Sequence, residues 1–144
     1  MTFQTIAIVG ATGYLGRRVL SHLLTIPTIT KITVLSRSNT THDFPSSSVS
    51  SVVLIPFDAD HPSVASVLKG HELVISTIAG AVAQKIDPLL LSAAISAGVQ
   101  RFMPSEYTLD VMHLHAIDVA GSTVLAGRIR NARELQLLAI NKKY

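Results

Sequence analysis

The sequence contains no cysteine, so disulfide bonds and zinc sites built from thiolates are excluded. Charge is also scarce, because charged residues make up 15% of the chain, against about 25% in an average globular domain. The net charge of +3 is too small to indicate a nucleic-acid-binding protein. The composition therefore favours neither a disulfide-stabilised protein nor one whose partner is nucleic acid.

Long hydrophobic runs are absent as well. The longest nearly apolar stretches, residues 73–83 and 88–99, are shorter than the roughly 20 residues that a membrane-spanning helix needs. The first residues carry no basic segment ahead of an apolar one, so we predict no signal peptide. Together with the lack of cysteine, these features predict a cytoplasmic protein that does not associate with a membrane.

Apolar residues, by contrast, are plentiful. They make up 48% of the 144 residues, and the mean hydropathy is +0.43. This length corresponds to one domain that comprises residues 1–144. Such a composition indicates either a very apolar core or an apolar surface that a partner covers.

Short apolar runs alternate with segments of helical spacing along the chain. The runs predict strands over residues 5–9, 31–35, 52–57, 73–77 and 99–103. The segments between and after them predict helices over residues 13–24, 61–70, 87–97 and 121–141, the third beginning at the pair Asp87-Pro88. Strands that alternate with helical crossovers indicate an α/β fold with a doubly wound parallel sheet of about five strands.

A glycine-rich turn follows the first predicted strand. Gly10, Gly13 and Gly16 have the spacing GxxGxxG. In a dinucleotide-binding turn, the first glycine permits the sharp turn, the second admits the pyrophosphate, and the third lets helix and strand pack closely. The alternative is a tight turn that binds nothing, but the flanking strand and helix favour a phosphate site at the helix N-terminus. The sequence therefore predicts a Rossmann-type NAD(P)-binding domain.

The end of the second predicted strand bears on the type of cofactor. NAD-binding domains place Asp or Glu there to bind the ribose hydroxyl groups, whereas this chain has Arg37 and no carboxylate. A guanidinium suits a 2′-phosphate, so we predict NADP(H) rather than NAD(H). The alternative is that Arg37 is a solvated loop residue. Small residues at 76–80, which end the fourth strand, would leave room for the ribose and the nicotinamide.

The segment 101–107 reads RFMPSEY, and the glycine-rich turn is followed along the chain by Arg37. These two motifs resemble those of the NmrA-like and isoflavone reductase-like family of atypical short-chain dehydrogenases. The resemblance extends to about residue 135 and implies that the chain binds NADP(H). It implies a cofactor site formed by Gly10, Thr12, Gly13, Tyr14, Leu15, Gly16 and Arg37, with the nicotinamide near Ser76, Thr77, Ile78, Ala79, Pro104, Ser105 and Tyr107.

The chain also departs from the family pattern. Family reductases carry a lysine near the start of the helix that follows the Pro-Ser-Glu segment, and alignment places Ala126 there. Arg128 lies close by in sequence, but a guanidinium does not deprotonate and is a poor general acid or base. Tyr107 stands where the family typically has phenylalanine, and the usual Tyr-x-x-x-Lys pair is missing. The resemblance thus leaves the catalytic residues unassigned.

Length is a further departure. Family members are about twice as long, and their second half builds the substrate pocket, so the resemblance implies that the chain ends after the cofactor domain. Loss of the substrate lobe would expose an apolar surface near the fifth strand and the last helix. We therefore predict some self-association through that surface.

Two functional hypotheses follow from the resemblance. The first is an NADP(H)-dependent oxidoreductase of the isoflavone reductase-like type, or its cofactor-binding domain, which transfers hydride to a small conjugated or carbonyl substrate. The alternative is a non-catalytic NADP(H)-binding regulator that senses redox state and acts through a protein partner. A degenerate fragment that binds nothing is the third interpretation.

Other candidate sites are weak. His113 and His115 lie two residues apart without an evident third ligand, so we predict no metal site. Arg128 and Arg130 point to opposite sides of the last predicted helix and make no basic stripe for nucleic acid.

Overall fold

The computed structural model describes residues 2–36, 44, 51–54, 61–107 and 123–141. These residues include five strands, which are β1 (Thr5–Val9), β2 (Lys31–Ser36), β3 (Ser51–Leu54), β4 (Leu73–Ser76) and β5 (Arg101–Met103). The strands form one sheet in the order β3-β2-β1-β4-β5, and every neighbouring pair is parallel. The chain therefore has the predicted Rossmann-type doubly wound fold, with its order of strands reversing between β1 and β4.

Helices cover both faces of this sheet. They are α1 (Tyr14–Leu23), α2 (His61–Leu68), α3 (Gly80–Ala97) and α4 (Thr123–Asn141), and α4 packs against α3. Side chains of β1 alternate between the two faces. Ile6 and Ile8 lie in one buried cluster with α1, whereas Ala7 and Val9 lie in the other with α2 and α3. Burial on both faces explains why the strands are nearly continuous apolar runs.

The predicted start of the third helix was wrong. An acid followed by proline is a common helix start, but here Asp87 is fully buried inside α3 and Pro88 continues the helix. Packing overrides the local signal, because Ala83, which precedes the pair, is already part of the buried core. The predicted end was correct, since Gly98 terminates the helix in the left-handed conformation, at φ 74°.

The first helix packs against the sheet at Gly16. Leu15, Val19 and Leu23 have helical spacing in the sequence, but Leu15 is exposed and Val19 is only partly buried. The buried residues are Gly16, Leu20 and Leu23. Because Gly16 has no side chain, α1 can lie close to the backbone of the β1–α1 turn.

An apolar groove of about 310 Å³ lies between β5, α3 and α4. Its lining residues are Leu91, Phe102, Pro104, Glu106, Ala132, Leu135, Gln136 and Ala139. Met103 of β5 and Leu137 of α4 are exposed as well. An apolar surface is thus present where the sequence predicted it, and self-association through it stays a prediction. Within the described residues, none of the helices has the length and apolar content to span a bilayer.

A buried histidine joins β2 to the turn that precedes β4, at the amino end of the sheet. Nδ1 of His71 lies 3.1 Å from the Leu68 carbonyl oxygen, and Nε2 lies 2.8 Å from Oγ1 of Thr33. Burial lowers the pKa of His71 below its usual 6.5, and the charge of Lys31 lowers it further, although the hydrogen bond to Leu68 opposes this shift.

Stability is expected to fall at mildly acid pH because of this histidine. Its folded-state pKa is depressed, so the unfolded chain binds the proton more readily, and the free energy of unfolding decreases as the pH falls below 6.5. Urea unfolding at about pH 7.5 and about pH 5.5 measures the loss. In His71→Asn the loss should be smaller than in the parent chain, and an equal loss would exclude His71 as its source.

Candidate functional site

A cleft of about 360 Å³ opens at the carboxyl end of the sheet, where the strand order reverses between β1 and β4. It is lined by Gly10, Ala11, Thr12, Gly13, Leu35, Ser36, Thr77, Ile78, Ala79 and Val82. The β1–α1 turn, the end of β2 and the segment after β4 thus meet at one place. Doubly wound sheets bind their ligands in the crevice at such a switch point.

The glycines of the β1–α1 turn are packed against backbone. A Cβ on Gly16 would lie 2.2 Å from the Gly10 carbonyl oxygen and 2.7 Å from Oγ1 of Thr77. Gly10 has φ +81°, a conformation that favours glycine, and its Cβ would lie 2.9 Å from the same Oγ1 atom. A Cβ on Gly13 would meet only the Gly10 carbonyl oxygen, at 3.3 Å. Gly10 and Gly16 are therefore required by packing, whereas Gly13 keeps the cleft wall free of a side chain.

Two helices begin at the cleft without side-chain caps. Gly13 precedes α1 and Ala79 precedes α3, and neither helix has an acidic residue in its first turn. The first N–H groups of a helix lack partners within it and favour anions. Nε of Arg17 donates a hydrogen bond to the Thr12 carbonyl oxygen at 3.0 Å, which holds the turn in place. The cleft is thus suited to a phosphate group.

The structure brings only some of the predicted cofactor residues into the lining of the cleft. Gly10, Thr12, Gly13, Thr77, Ile78 and Ala79 line the cleft. Tyr14 and Leu15 are exposed at the start of α1, and the Arg18 guanidinium stacks over the Tyr14 ring at 3.8 Å. Gly16 and Ser76 are buried and do not line the cleft. Arg37 lies outside the described residues. The lining residues that were not predicted from the sequence are Ala11, Leu35, Ser36 and Val82.

In the segment after β5, the side chains of Ser105 and Tyr107 donate hydrogen bonds to backbone carbonyl groups at the end of β4 and just after it. Oγ of Ser105 donates a hydrogen bond to the Ile78 carbonyl oxygen, and the Tyr107 hydroxyl donates one to the Ser76 carbonyl oxygen at 2.8 Å. Burial raises the pKa of Tyr107 to about 12, and the nearby Asp87 carboxylate contributes. The Tyr107 hydroxyl is therefore a neutral donor at physiological pH and is no general base. Pro104 lies in the apolar groove beside β5.

Asp87 is the polar residue of this region that the sequence analysis misassigned. Its Oδ1 accepts a hydrogen bond from Oγ of Ser76 at 2.6 Å, and its Oδ2 accepts one from the Ser105 N–H at 2.8 Å. Burial raises the pKa of Asp87, and the charge of Glu106 adds to the shift, while the two hydrogen bonds oppose it. Because proline follows it, the sequence indicated a helix cap, and no local signal distinguishes a cap from a buried carboxylate here.

Glu106 connects the segment after β5 to α4. Its Oε1 accepts a hydrogen bond from Nδ2 of Asn131 at 2.8 Å, and its Oε2 lies 3.8 Å from Nη1 of Arg128. Ala126, which we expect at the position of the family lysine, is exposed on α4. The Arg128 guanidinium thus lies beside a carboxylate.

No cluster of three or more potential metal ligands is found among the residues that the structure describes. His113 and His115 lie outside them, so the expectation for that pair is not tested.

The family model that matches the chain is that of the NmrA-like family, over residues 2–123. The chain is 35% identical over 118 residues to an oxidoreductase of Aspergillus flavus. This alignment covers 81% of the chain and 37% of that protein. The chain is also 34% identical over 141 residues to a phenylcoumaran benzylic ether reductase of Ginkgo biloba. This second alignment covers 91% of the chain and 45% of that protein. The chain therefore spans less than half the length of these curated relatives.

Solved structures have the same fold. A structure of AtPrR2 with NADP+ and (+)-pinoresinol superposes with a TM-score of 0.75 at 25% identity, covering 96% of this chain and 48% of that one. A structure from a study of pinoresinol-lariciresinol and phenylcoumaran benzylic ether reductases superposes with a TM-score of 0.76 at 22% identity. The superposition covers 96% of this chain and 47% of that one.

Proposed function

The chain belongs to the NmrA-like family, and from this membership we propose that residues 1–144 form an NADP(H)-binding domain of an isoflavone reductase-like oxidoreductase. The observation that carries the proposal is the cleft between β1 and β4. Gly10 and Gly13 line this cleft, and two helices without side-chain caps begin beside it. The substrate class is a small conjugated or carbonyl compound.

The residues present fit the cofactor. Gly10, Thr12 and Gly13 line the cleft and would hold the pyrophosphate, because no Cβ at Gly13 stands between the backbone and a ligand. Leu35 and Ser36, at the end of β2, are positioned for the adenosine half, and Arg37 follows them in sequence. Thr77, Ile78 and Ala79 would line the nicotinamide half. When bound, the cofactor supplies the hydride, and these residues orient it.

The names of the relatives support the reductase over the regulator. The Ginkgo biloba relative is a reductase, the Aspergillus flavus relative is an oxidoreductase, and AtPrR2 binds NADP+ together with the small molecule pinoresinol. We assign no general acid, because Ala126 replaces the family lysine and Arg128 is paired with Glu106.

Calorimetric titration of the purified chain with NADPH, and with NADH as control, tests this proposal. We expect a dissociation constant on the order of micromolar for NADPH and weaker binding of NADH. A folded chain that binds neither nucleotide would contradict the proposed function. Equal binding of both would support a dinucleotide site and contradict the choice of NADP(H).

A further inference from the structure

The Asp87 carboxylate is fully buried at the carboxyl end of the sheet, in the middle of α3. Among the residues that the structure describes, no lysine or arginine pairs with it, and its hydrogen-bond partners are a hydroxyl and a backbone N–H. Burial of a carboxylate without a cation is costly, and an apolar residue of similar size would fill the space at a lower cost. Stability of the core alone therefore does not explain this residue.

The two partners of Asp87 belong to different parts of the sheet. Ser76 is the last residue of β4, and Ser105 follows β5, so the carboxylate joins two neighbouring strand ends. Two further hydrogen bonds connect the same segments. Oγ of Ser105 donates to the Ile78 carbonyl oxygen, and the Tyr107 hydroxyl donates to the Ser76 carbonyl oxygen at 2.8 Å. Four hydrogen bonds that involve Asp87, Ser105 or Tyr107 thus fix the position of residues 76–78.

The segment held in this way is a wall of the cleft. Ile78 and Thr77 line it, and Oγ1 of Thr77 also donates a hydrogen bond to the Val9 carbonyl oxygen at 2.7 Å. β1 therefore supports this wall on one side, and the Asp87 network supports it on the other. A hydrogen-bonded network of this kind specifies one arrangement of the backbone more strictly than apolar packing does.

We infer that Asp87 is a positioning residue, which holds the segment 76–78 in the geometry that receives the nicotinamide half of NADP(H). The inference rests on the proposed function. Asp87 does not line the cleft and does not touch the cofactor, so its effect passes through Ser76, Ser105 and Ile78. The adenosine half, which would lie near the end of β2, is outside its reach.

The test compares two ligands by calorimetry, NADPH and adenosine 2′,5′-bisphosphate, which carries the adenosine end of NADPH and no nicotinamide. Asp87→Ala leaves the Ser76 hydroxyl and the Ser105 N–H without their acceptor. We expect about a fivefold or greater loss of NADPH affinity and a change of less than about twofold for the bisphosphate. A change confined to NADPH is not expected from a general loss of stability, which would weaken both ligands.

Asp87→Asn provides a conservative variant. Its amide oxygen can accept the hydrogen bond from the Ser105 N–H, and its amide group can donate to Oγ of Ser76. NADPH affinity should therefore stay within about threefold of the parent chain. Ser96→Ala is the matched control on the same helix, because the exposed Ser96 hydroxyl donates its hydrogen bond to the Ser92 carbonyl oxygen within α3, and neither affinity should change.

The outcomes separate the two proposals. If the parent chain binds neither ligand, the proposed function is contradicted, and the role of Asp87 falls with it. If the parent chain binds both ligands and Asp87→Ala loses affinity for both equally or for neither, only the inference about Asp87 is overturned.

Should Asp87→Ala not fold, Ser105→Ala takes its place, because it removes the hydrogen bond to the Ile78 carbonyl oxygen and keeps the Asp87 carboxylate. A selective loss of NADPH affinity in that variant supports the inference, and no loss overturns it.

Discussion

Gly16→Ala should destabilise the chain by about 3 kcal/mol or more, a large fraction of the roughly 5 to 15 kcal/mol that stabilises a typical domain. The new Cβ would lie 2.2 Å from the Gly10 carbonyl oxygen and 2.8 Å from Cα of Ala11. Both contacts are with backbone, so relief requires α1 to move away from β1 and to open the core around Ile8. Urea unfolding monitored by circular dichroism measures the loss.

Gly13→Ala is the matched control for this substitution. It makes the same change at the N-terminus of the same helix, where φ is −72° and the new Cβ would meet one atom, at 3.3 Å. We expect a loss of less than about 1 kcal/mol, together with weaker NADPH binding, because the methyl group would stand in the cleft wall. Similar stabilities of the two variants would contradict the close packing of α1 on the β1–α1 turn.

Arg37→Ala should weaken NADPH binding by about 10- to 100-fold and should leave NADH binding within about twofold. The prediction follows from the sequence, in which Arg37 comes directly after β2 and no carboxylate accompanies it. The end of β2 lines the cleft through Leu35 and Ser36, and Arg37 is the next residue in the sequence. Hydrogen bonds to a charged phosphate are among the strongest in proteins.

Calorimetric titration of both nucleotides measures this selectivity. Arg130→Ala removes the same charge from an exposed position of α4 and controls for the loss of a positive charge as such. If NADPH and NADH binding weaken equally in Arg37→Ala, Arg37 does not contact the 2′-phosphate. If Arg130→Ala reproduces the effect, the effect comes from the net charge.

The fold was predictable because its signals are local. Apolar runs that end in glycine or small residues placed β1, β2 and β4, and Gly98 marked the end of α3. The start of α3 was not predictable in this way, since Asp87 carries the local signal of a cap and occupies the core for reasons that lie in β4 and the segment after β5. Hydrogen bonds between residues that are distant in sequence leave no periodic pattern.

The candidate site, like the fold, was predictable where its signals are local in sequence. The glycine spacing located the β1–α1 turn, and Thr77 and Ala79 were placed in the cleft by their position after β4. Ser76 was expected beside the nicotinamide, yet its side chain points to Asp87 and is buried. Alternation along a strand decides which of two neighbouring residues faces a ligand, and at a strand end the sequence alone did not fix that alternation.

The central claim is that the cleft between β1 and β4 holds NADP(H), and an NMR titration of the ¹⁵N-labelled chain with NADPH tests it most directly. Amide resonances of Gly10 to Gly13 and of Thr77 to Ala79 should shift, because these residues line the cleft. Those of His71 and Glu72, at the opposite end of the sheet, should not shift. Shifts centred on His71 and Glu72, or no shifts at saturating NADPH, would contradict the assignment of the cleft as the cofactor site.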